Sequence, residues 1–360
     1  MTRAGPGKRR ARTSTVAFLA ASLLGGCASP AYYAQAIGGQ WEIWRAGRPI
    51  AAARADPDLP PALRERLAAA ERIRDFASRD LGLPDNGSYR RYADVARPYA
   101  VWSVVAAGPL SLAPQTWCFP FAGCVAYRGY FSEAAARGFA AELAAEGQDV
   151  FVAGVPAYST LGWFDDPVLN TFVRYPDTEL ARLIFHELAH QVAYARDDSE
   201  FNESFAVAVE EAGVERWLAA HGDAAQKAAF ARMQGIRADF QALVARHRAR
   251  LAAAYAAPVS DAEKRAAKAR LLAALRADYQ ALRDGPWGGM KGYDRWLGDG
   301  VNNATLASIG LYQTLVPAFR ALLARHDGEL PRFYAAVRDL AALPREERRR
   351  ALAAAGDGKT

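Results

Sequence analysis

Cysteine is scarce in this chain, with three residues in 360, at positions 27, 118 and 124. A cysteine-built metal cage is therefore not on offer: the close pair in "TWCFPFAGCVAYRGYF" has no further metal ligands beside it. Histidine is sparse as well, with five residues. Net charge is also nearly missing. Of the 45 Lys and Arg, five lie in the first 26 residues, which hold no acid, and that leaves 40 against 39 Asp and Glu. The pI of about 9.2 belongs to the leader, and a near-neutral remainder gives no warrant for nucleic-acid binding. No internal repeat is present, and no second long apolar run is expected after the leader. What is abundant is apolar surface: 51% hydrophobic residues suffice for a real core and argue against disorder.

The N-terminus has the layout of an export signal. Arg3, Lys8, Arg9, Arg10 and Arg12 precede "STVAFLAASLLGG", which is too short to cross a bilayer comfortably, where about 20 apolar residues are needed. The run meets Cys27. "LLGGC", with Leu24 three positions before the cysteine, resembles a bacterial lipobox, which implies cleavage, diacylation of Cys27 and a lipid anchor. Ala28 in place of Asp resembles outer-membrane sorting in a Gram-negative host, so the chain is expected on the outer membrane, facing the periplasm. In that oxidising compartment Cys118 and Cys124 are expected to form a small disulfide.

The predicted organisation is α+β, a small mixed β-sheet layer with a mainly helical remainder. Residues 1–26 are the signal and 27–97 an N-terminal helical segment, with periodic apolar positions in "LPPALRERLAAAERIRDFASRDLGL" broken by "LPDNGSY". Residues 98–175 form the α+β layer: "YAVWSVVAA", "GCVAYRGYF" and "DVFVAGV" read as strands around the helix "SEAAARGFAAELAAEG", capped by Ser132. Residues 176–220 hold two site-bearing helices, and 221–360 are helical, ending in a tail, "REERRRALAAAGDGKT", expected to fray. His221, His247 and His326 lie in charged helical contexts and are expected to be solvated.

The chemistry concentrates in "LIFHELAHQVAYARDDSEFNESFAVAVEE". On a helix, His186 and His190 share a face and can aim both imidazoles at one metal ion, with Glu187 beside it. Hydrolytic zinc needs three protein ligands and an open position for water. The third is expected from the next helix, at Glu203, giving one zinc ion per chain and Glu187 as general base.

Here a resemblance enters. "HELAHQ" followed by "NESFA" is similar to the zinc site of aminopeptidase N-type gluzincins, whose second motif supplies the third ligand. The resemblance implies a gluzincin-like fold, a ligand role for Glu203, and a role beside the ligands for Glu210, seven residues on, and for Asn202. The spacer, residues 191–202, is shorter than is usual there, so the chain resembles a trimmed relative. Across nearly the whole mature chain, "IRDFASRDLGLPDNGSY", "CFPFAGCVAYRGYF", "YSTLGWFDDPVL" and "NNATLASIGLYQTLVPAF" resemble a bacterial lipoprotein family described as putative aminopeptidases, which implies a zinc peptidase acting on peptides.

Gluzincins bind substrate along an edge strand upstream of the metal helix. "VPAYSTLGWF" is the expected place, with Ser159 and Gly162 as contacts, although a surface turn before Asp166-Pro167 also fits. The GAMEN-like amine-binding motif of those enzymes is missing; Asp165 or Asp166 could hold an ammonium instead, or simply belong to the turn. An oxyanion donor is expected from Tyr293 or Tyr312, with Asn303, a candidate helix cap, as a further candidate. Two other readings stand beside the aminopeptidase: a zinc endopeptidase, and a membrane-anchored scaffold that keeps the metal for stability alone.

Overall fold

The computed structural model describes residues 30–119, 123–157, 159–298 and 300–356. Cys27, with its expected acylation, lies outside the described residues, as does the signal. The chain opens with α1 (Pro30–Ala46), β1 (Arg48–Pro49), α2 (Ile50–Ala55) and α3 (Pro61–Arg79). Proline starts α3 at a position where its missing N–H costs nothing. Leu63, Leu67, Ala70, Ile73 and Ala77 of α3 recur every three or four residues and are buried. Arg74 on the same helix is fully buried. It is satisfied by donating to the Ser88 and Pro84 carbonyls, both at 2.7 Å, and so holds the "LPDNGS" loop closed.

The β layer follows: β2 (Arg91–Ala93), β3 (Val101–Ala107), β4 (Trp117–Phe119), β5 (Gly123–Val125), β6 (Arg128–Tyr130), α4 (Glu133–Ala145), β7 (Asp149–Val155) and β8 (Val168–Leu169). The strands make an antiparallel sheet β6–β3–β7, a mixed sheet β1–β2–β8 and a β4–β5 hairpin. Opposite residues Cys118 and Cys124 of that hairpin are joined by a disulfide. The Ser132 hydroxyl caps α4, accepting from Ala135 N. β7 is an edge of its sheet but ends at Val155. None of the described residues between 156 and 164 is in a strand, so the edge does not extend through "VPAYSTLGWF".

The remainder is helical: α5 (Asp177–Ala189), α6 (Ser199–His221), α7 (Ala224–Ala256), α8 (Asp261–Asp284), α9 (Asp294–Leu297), α10 (Asn303–Leu311), α11 (Val316–Arg325), α12 (Leu330–Ala342) and α13 (Arg345–Gly356). The architecture is thus α+β with small sheets. α5 packs along α6, and a core of Phe185, Phe201, Phe205, Phe319 and Phe333 lies around them. α7 and α8 pair around a separate core, and α10 bridges to the sheet through Ala304, which packs on Val105 and Ala107.

Three expectations are corrected here. His247 is fully buried, because it falls in register with Phe240, Leu243, Val244 and Leu251 on the inner face of α7; its Nε2 pairs with Asp278 at 2.8 Å. Residues 345–356 are a docked helix: Arg348, 4% exposed, donates to Asp198 at 2.7 Å, and Arg349 pairs with Asp198 and Glu200. A second long apolar run does exist: Asn303–Arg325 could span a membrane by length and composition. It is broken into α10 and α11 around Tyr312–Leu315, and it packs Leu306, Ile309, Phe319 and Leu322 into the core.

Candidate metal centre

α5 is anchored at its start by Arg66 of α3, which donates to the Val173 carbonyl at 3.1 Å and to Asp177 at 2.5 Å. At its other end His190 is the C-cap but keeps helical angles, φ −59° and ψ −22°, so it stays in phase with His186. The two rings lie 4.9 Å apart and nearly perpendicular. The connection to α6 is set by Asn202, whose amide both accepts from Ala195 N at 2.7 Å and donates to Ala195 O at 2.9 Å, and by Asp198, which caps α6. Asn202, expected beside the metal ligands, sets the turn that carries its neighbour Glu203.

That turn brings Glu203 to the histidines. Its Oε2 lies 3.2 Å from His186 Nε2 and 3.6 Å from His190 Nε2. A tetrahedral ion whose donors sit about 2.1 Å away holds those donors about 3.4 Å from each other, and the two distances bracket this value. The side chains are 12%, 9% and 10% exposed, nearly dry yet open to solvent. His186, His190 and Glu203 can therefore hold a metal ion, and they form the only such histidine-containing group found among the described residues.

The surroundings are charged and organised. Glu210 accepts from His186 Nδ1 at 2.9 Å and from Arg182 at 3.1 Å, and Arg182 is in turn held by Glu179 at 2.8 Å. This chain fixes the His186 ring and leaves Nε2 to face Glu203. By contrast, His190 Nδ1 is buried with no protein partner. In the metal-free chain, burial opposes a charge on His186, but the hydrogen bonds to Glu203 and Glu210 and the negative field of Glu210 prevail and raise it to about 10. Burial would likewise raise Glu203, yet the charge of His190 and hydrogen bonds to both histidines hold it at about 2. Glu187 is raised by burial, against the pull of both histidines. Three carboxylates, Glu187, Glu203 and Glu210, thus gather around two imidazoles, an environment that favours a dication.

A sequence model of the family described as "Putative aminopeptidase" matches residues 31–352, which take in the whole cluster. The chain belongs to this family. No curated protein and no solved structure matches it.

Membership of this family makes the groups around the cluster relevant. Tyr312, the C-cap of α10, has its ring 6.4 Å from that of His186 and is 38% exposed. The charge of Glu203, with burial second, raises its hydroxyl well above the ordinary tyrosine value. Tyr293 is elsewhere: it stacks on Phe240 at 3.8 Å in the α7–α8 core, so the structure brings Tyr312 and not Tyr293 to the cluster. Two further tyrosines escaped the sequence reading. Tyr127, between β5 and β6, is raised by burial and by the charges of Glu203 and Glu187; Tyr194, after the metal helix, is pushed to about 12 by burial and Glu203. Tyr194 lies past the end of α5, where helical spacing from His190 no longer applies. Tyr127 carries no local signal.

The remaining candidates separate. Gly162, at φ +80°, borders the Gln191 side chain, next to His190. The Ser159 hydroxyl accepts from Leu161 N at 3.0 Å and so serves the loop itself. Asp166 is buried, accepts from Thr160 N at 2.8 Å, and is pushed up to about 7 by burial; the turn reading accounts for it. Asp165 is exposed. Asn302, rather than Asn303, caps α10. Asn303 is buried, accepting from Tyr255 at 2.7 Å and donating to the Gly108 carbonyl at 3.1 Å, away from the metal cluster.

Proposed function

We propose that the protein is a zinc-dependent peptidase, an aminopeptidase of gluzincin type, that hydrolyses peptides in the periplasm. The observation that carries this reading is the convergence of His186, His190 and Glu203 with Glu187 one residue along the same helix. Two imidazoles and one carboxylate are a borderline donor set suited to zinc. When bound, the ion supplies Lewis-acid chemistry, lowering the pKa of water towards neutrality and polarising a carbonyl. Glu187, its carboxyl raised by burial, accepts the proton of the attacking water and passes it to the leaving amine. Tyr312, its phenol held protonated beside Glu203, donates to the oxygen that becomes negative in the transition state. Glu210 keeps His186 in the tautomer that offers Nε2.

Glu187→Gln tests this reading. It preserves size but cannot take the proton, so hydrolysis should fall by about 10²-fold or more with zinc content unchanged. Peptides with free and acetylated N-termini separate the aminopeptidase from an endopeptidase: cleavage of both at equal rates would favour the endopeptidase. A zinc-loaded wild type that cleaves no peptide in a broad library would favour the scaffold. For location, we propose that Cys27 is acylated and holds the protein on the outer membrane; radiolabelled fatty acid should mark the wild type and not Cys27→Ser.

A further inference from the structure

The outward face of α1 is apolar, where a surface helix is ordinarily polar. Its inward face is already used. Tyr32 stacks on Phe119 and takes the Arg128 guanidinium 4.1 Å from its ring centre, Gln35 accepts from Phe131 N, and Ile43 is 1% exposed. Gly39 lies so close to the Phe131 ring that an added Cβ would overlap it. Opposite these, Ala31, Ala34, Ile37, Gly38, Trp41 and Trp44 are all exposed. Ile37, Trp41 and Trp44 stand one turn apart along this face at 70%, 55% and 53% exposure, with the indoles 5.1 Å from each other. The helix carries one acid, Glu42, paired with Arg97, and one base, Arg45.

A second segment continues the surface. Trp163 and Phe164, 70% and 52% exposed, share a shallow depression with Trp44, Arg91, Gly162 and Asp165. Of the seven large hydrophobic side chains exposed among the described residues, five therefore lie on α1 or this loop, and two of the loop residues adjoin Trp44. Scattered exposure needs no explanation, but a contiguous patch marks a contact surface.

We infer that this patch is a lipid-facing surface that seats α1 and residues 161–164 in the headgroup region of a phospholipid bilayer. Indole rings, with an apolar body and one N–H, favour that region, and a weakly charged helix with an apolar outer face lies in its plane. Arg45 and Arg91 at the margin suit lipid phosphates. The choice of a bilayer over a protein partner rests on the acylation reading of Cys27. α1 begins at Pro30, and an extended chain covers at most about 3.6 Å per residue, so its start lies within about 11 Å of the anchored residue. Because Gly162 borders Gln191, the residue after His190, the C-terminal end of α5 lies beside the lipid-facing loop.

The test uses the chain as the cell processes it, reconstituted into phosphatidylethanolamine–phosphatidylglycerol vesicles whose acyl chains are brominated near the headgroup. Three of the eight tryptophans are in the patch, so bromolipid should quench roughly a third of the tryptophan emission. In the combined Trp41→Phe, Trp44→Phe and Trp163→Phe variant the quench should drop to under about a tenth, with zinc content and far-ultraviolet circular dichroism unchanged as the check on folding. Equal quench in wild type and variant, or none in either, overturns the proposal and leaves the patch to a protein partner. Fatty-acid labelling of the same preparation keeps the two readings apart. An unlabelled chain that is still quenched through these tryptophans sinks the acylation reading and sustains the lipid-facing surface; a labelled, vesicle-bound chain without quench does the reverse.

Discussion

Replacing Glu210 with alanine removes the acceptor of His186 Nδ1, at 2.9 Å, and a partner of Arg182, at 3.1 Å, together. The His186 ring then loses the group that holds its tautomer and orientation. Losses of such outer acceptors cost about 10- to 100-fold in metal affinity, or about 1.4–2.7 kcal/mol. The fold pays as well. Glu210 is 4% exposed, and breaking a buried pair costs about 3–5 kcal/mol, with the lower end expected because Arg182 keeps Glu179 at 2.8 Å. Competition with a chromophoric zinc chelator reads the first quantity, and urea denaturation of the metal-free chain reads the second. Glu210→Gln retains an oxygen that can accept from His186, so it should lose less zinc affinity than the alanine variant. A folded Glu210→Ala protein that binds zinc within about twofold of wild type would refute the positioning role.

Tyr312→Phe should lower kcat by about 10²- to 10³-fold with zinc content intact, while Tyr293→Phe, which only trims a core aromatic, should leave kcat near wild type; the reverse outcome would return the oxyanion role to Tyr293. In the metal-free chain His186 titrates at about 10, above the ordinary histidine value of about 6.5, so its ion-paired form stabilises the fold fully below about 6.5 and is lost as pH rises through about 10. Zinc must displace that proton, so the logarithm of zinc affinity should climb about one unit per pH unit through neutrality, and a plateau above pH 7 would contradict the pairing. On the acid side Glu203, held at about 2, contributes above about 4.5 and is lost as pH falls through 2. Arg348→Ala should cost about 3 kcal/mol in urea denaturation, because it leaves Asp198 buried with Arg349 as its remaining arginine; a change under about 0.5 kcal/mol would mean that α13 is not clamped in solution.

What the sequence alone determined is local. A helix repeats every 3.6 residues, so His186 and His190 had to share a face whatever the rest of the chain did. The same rule puts Glu203 and Glu210 on one side of α6, and a side-chain cap and a β-branched, aromatic run marked α4 and β3 before any packing was known. Tertiary structure decided what lay far apart in the chain. Tyr312 and Tyr293 were equivalent in sequence until packing put one 6.4 Å from His186 and the other on Phe240. Tyr127, whose hydroxyl is raised by burial and by the charge of Glu203, sits in a β connection with no motif of its own. His247 looked solvated because its sequence neighbours are charged, whereas its neighbours one turn away are Leu243, Val244 and Leu251. The tail looked frayed because Arg348 and Arg349 read as surface charge; their partner, Asp198, is 150 residues upstream of Arg348. The helical character of α1 was legible, but not that its Tyr32–Ile43 side would be occupied by the sheet, leaving the tryptophans outside. Helix phase follows from dihedral angles fixed residue by residue, whereas these contacts depend on which surfaces meet after the chain has closed loops of about a hundred residues.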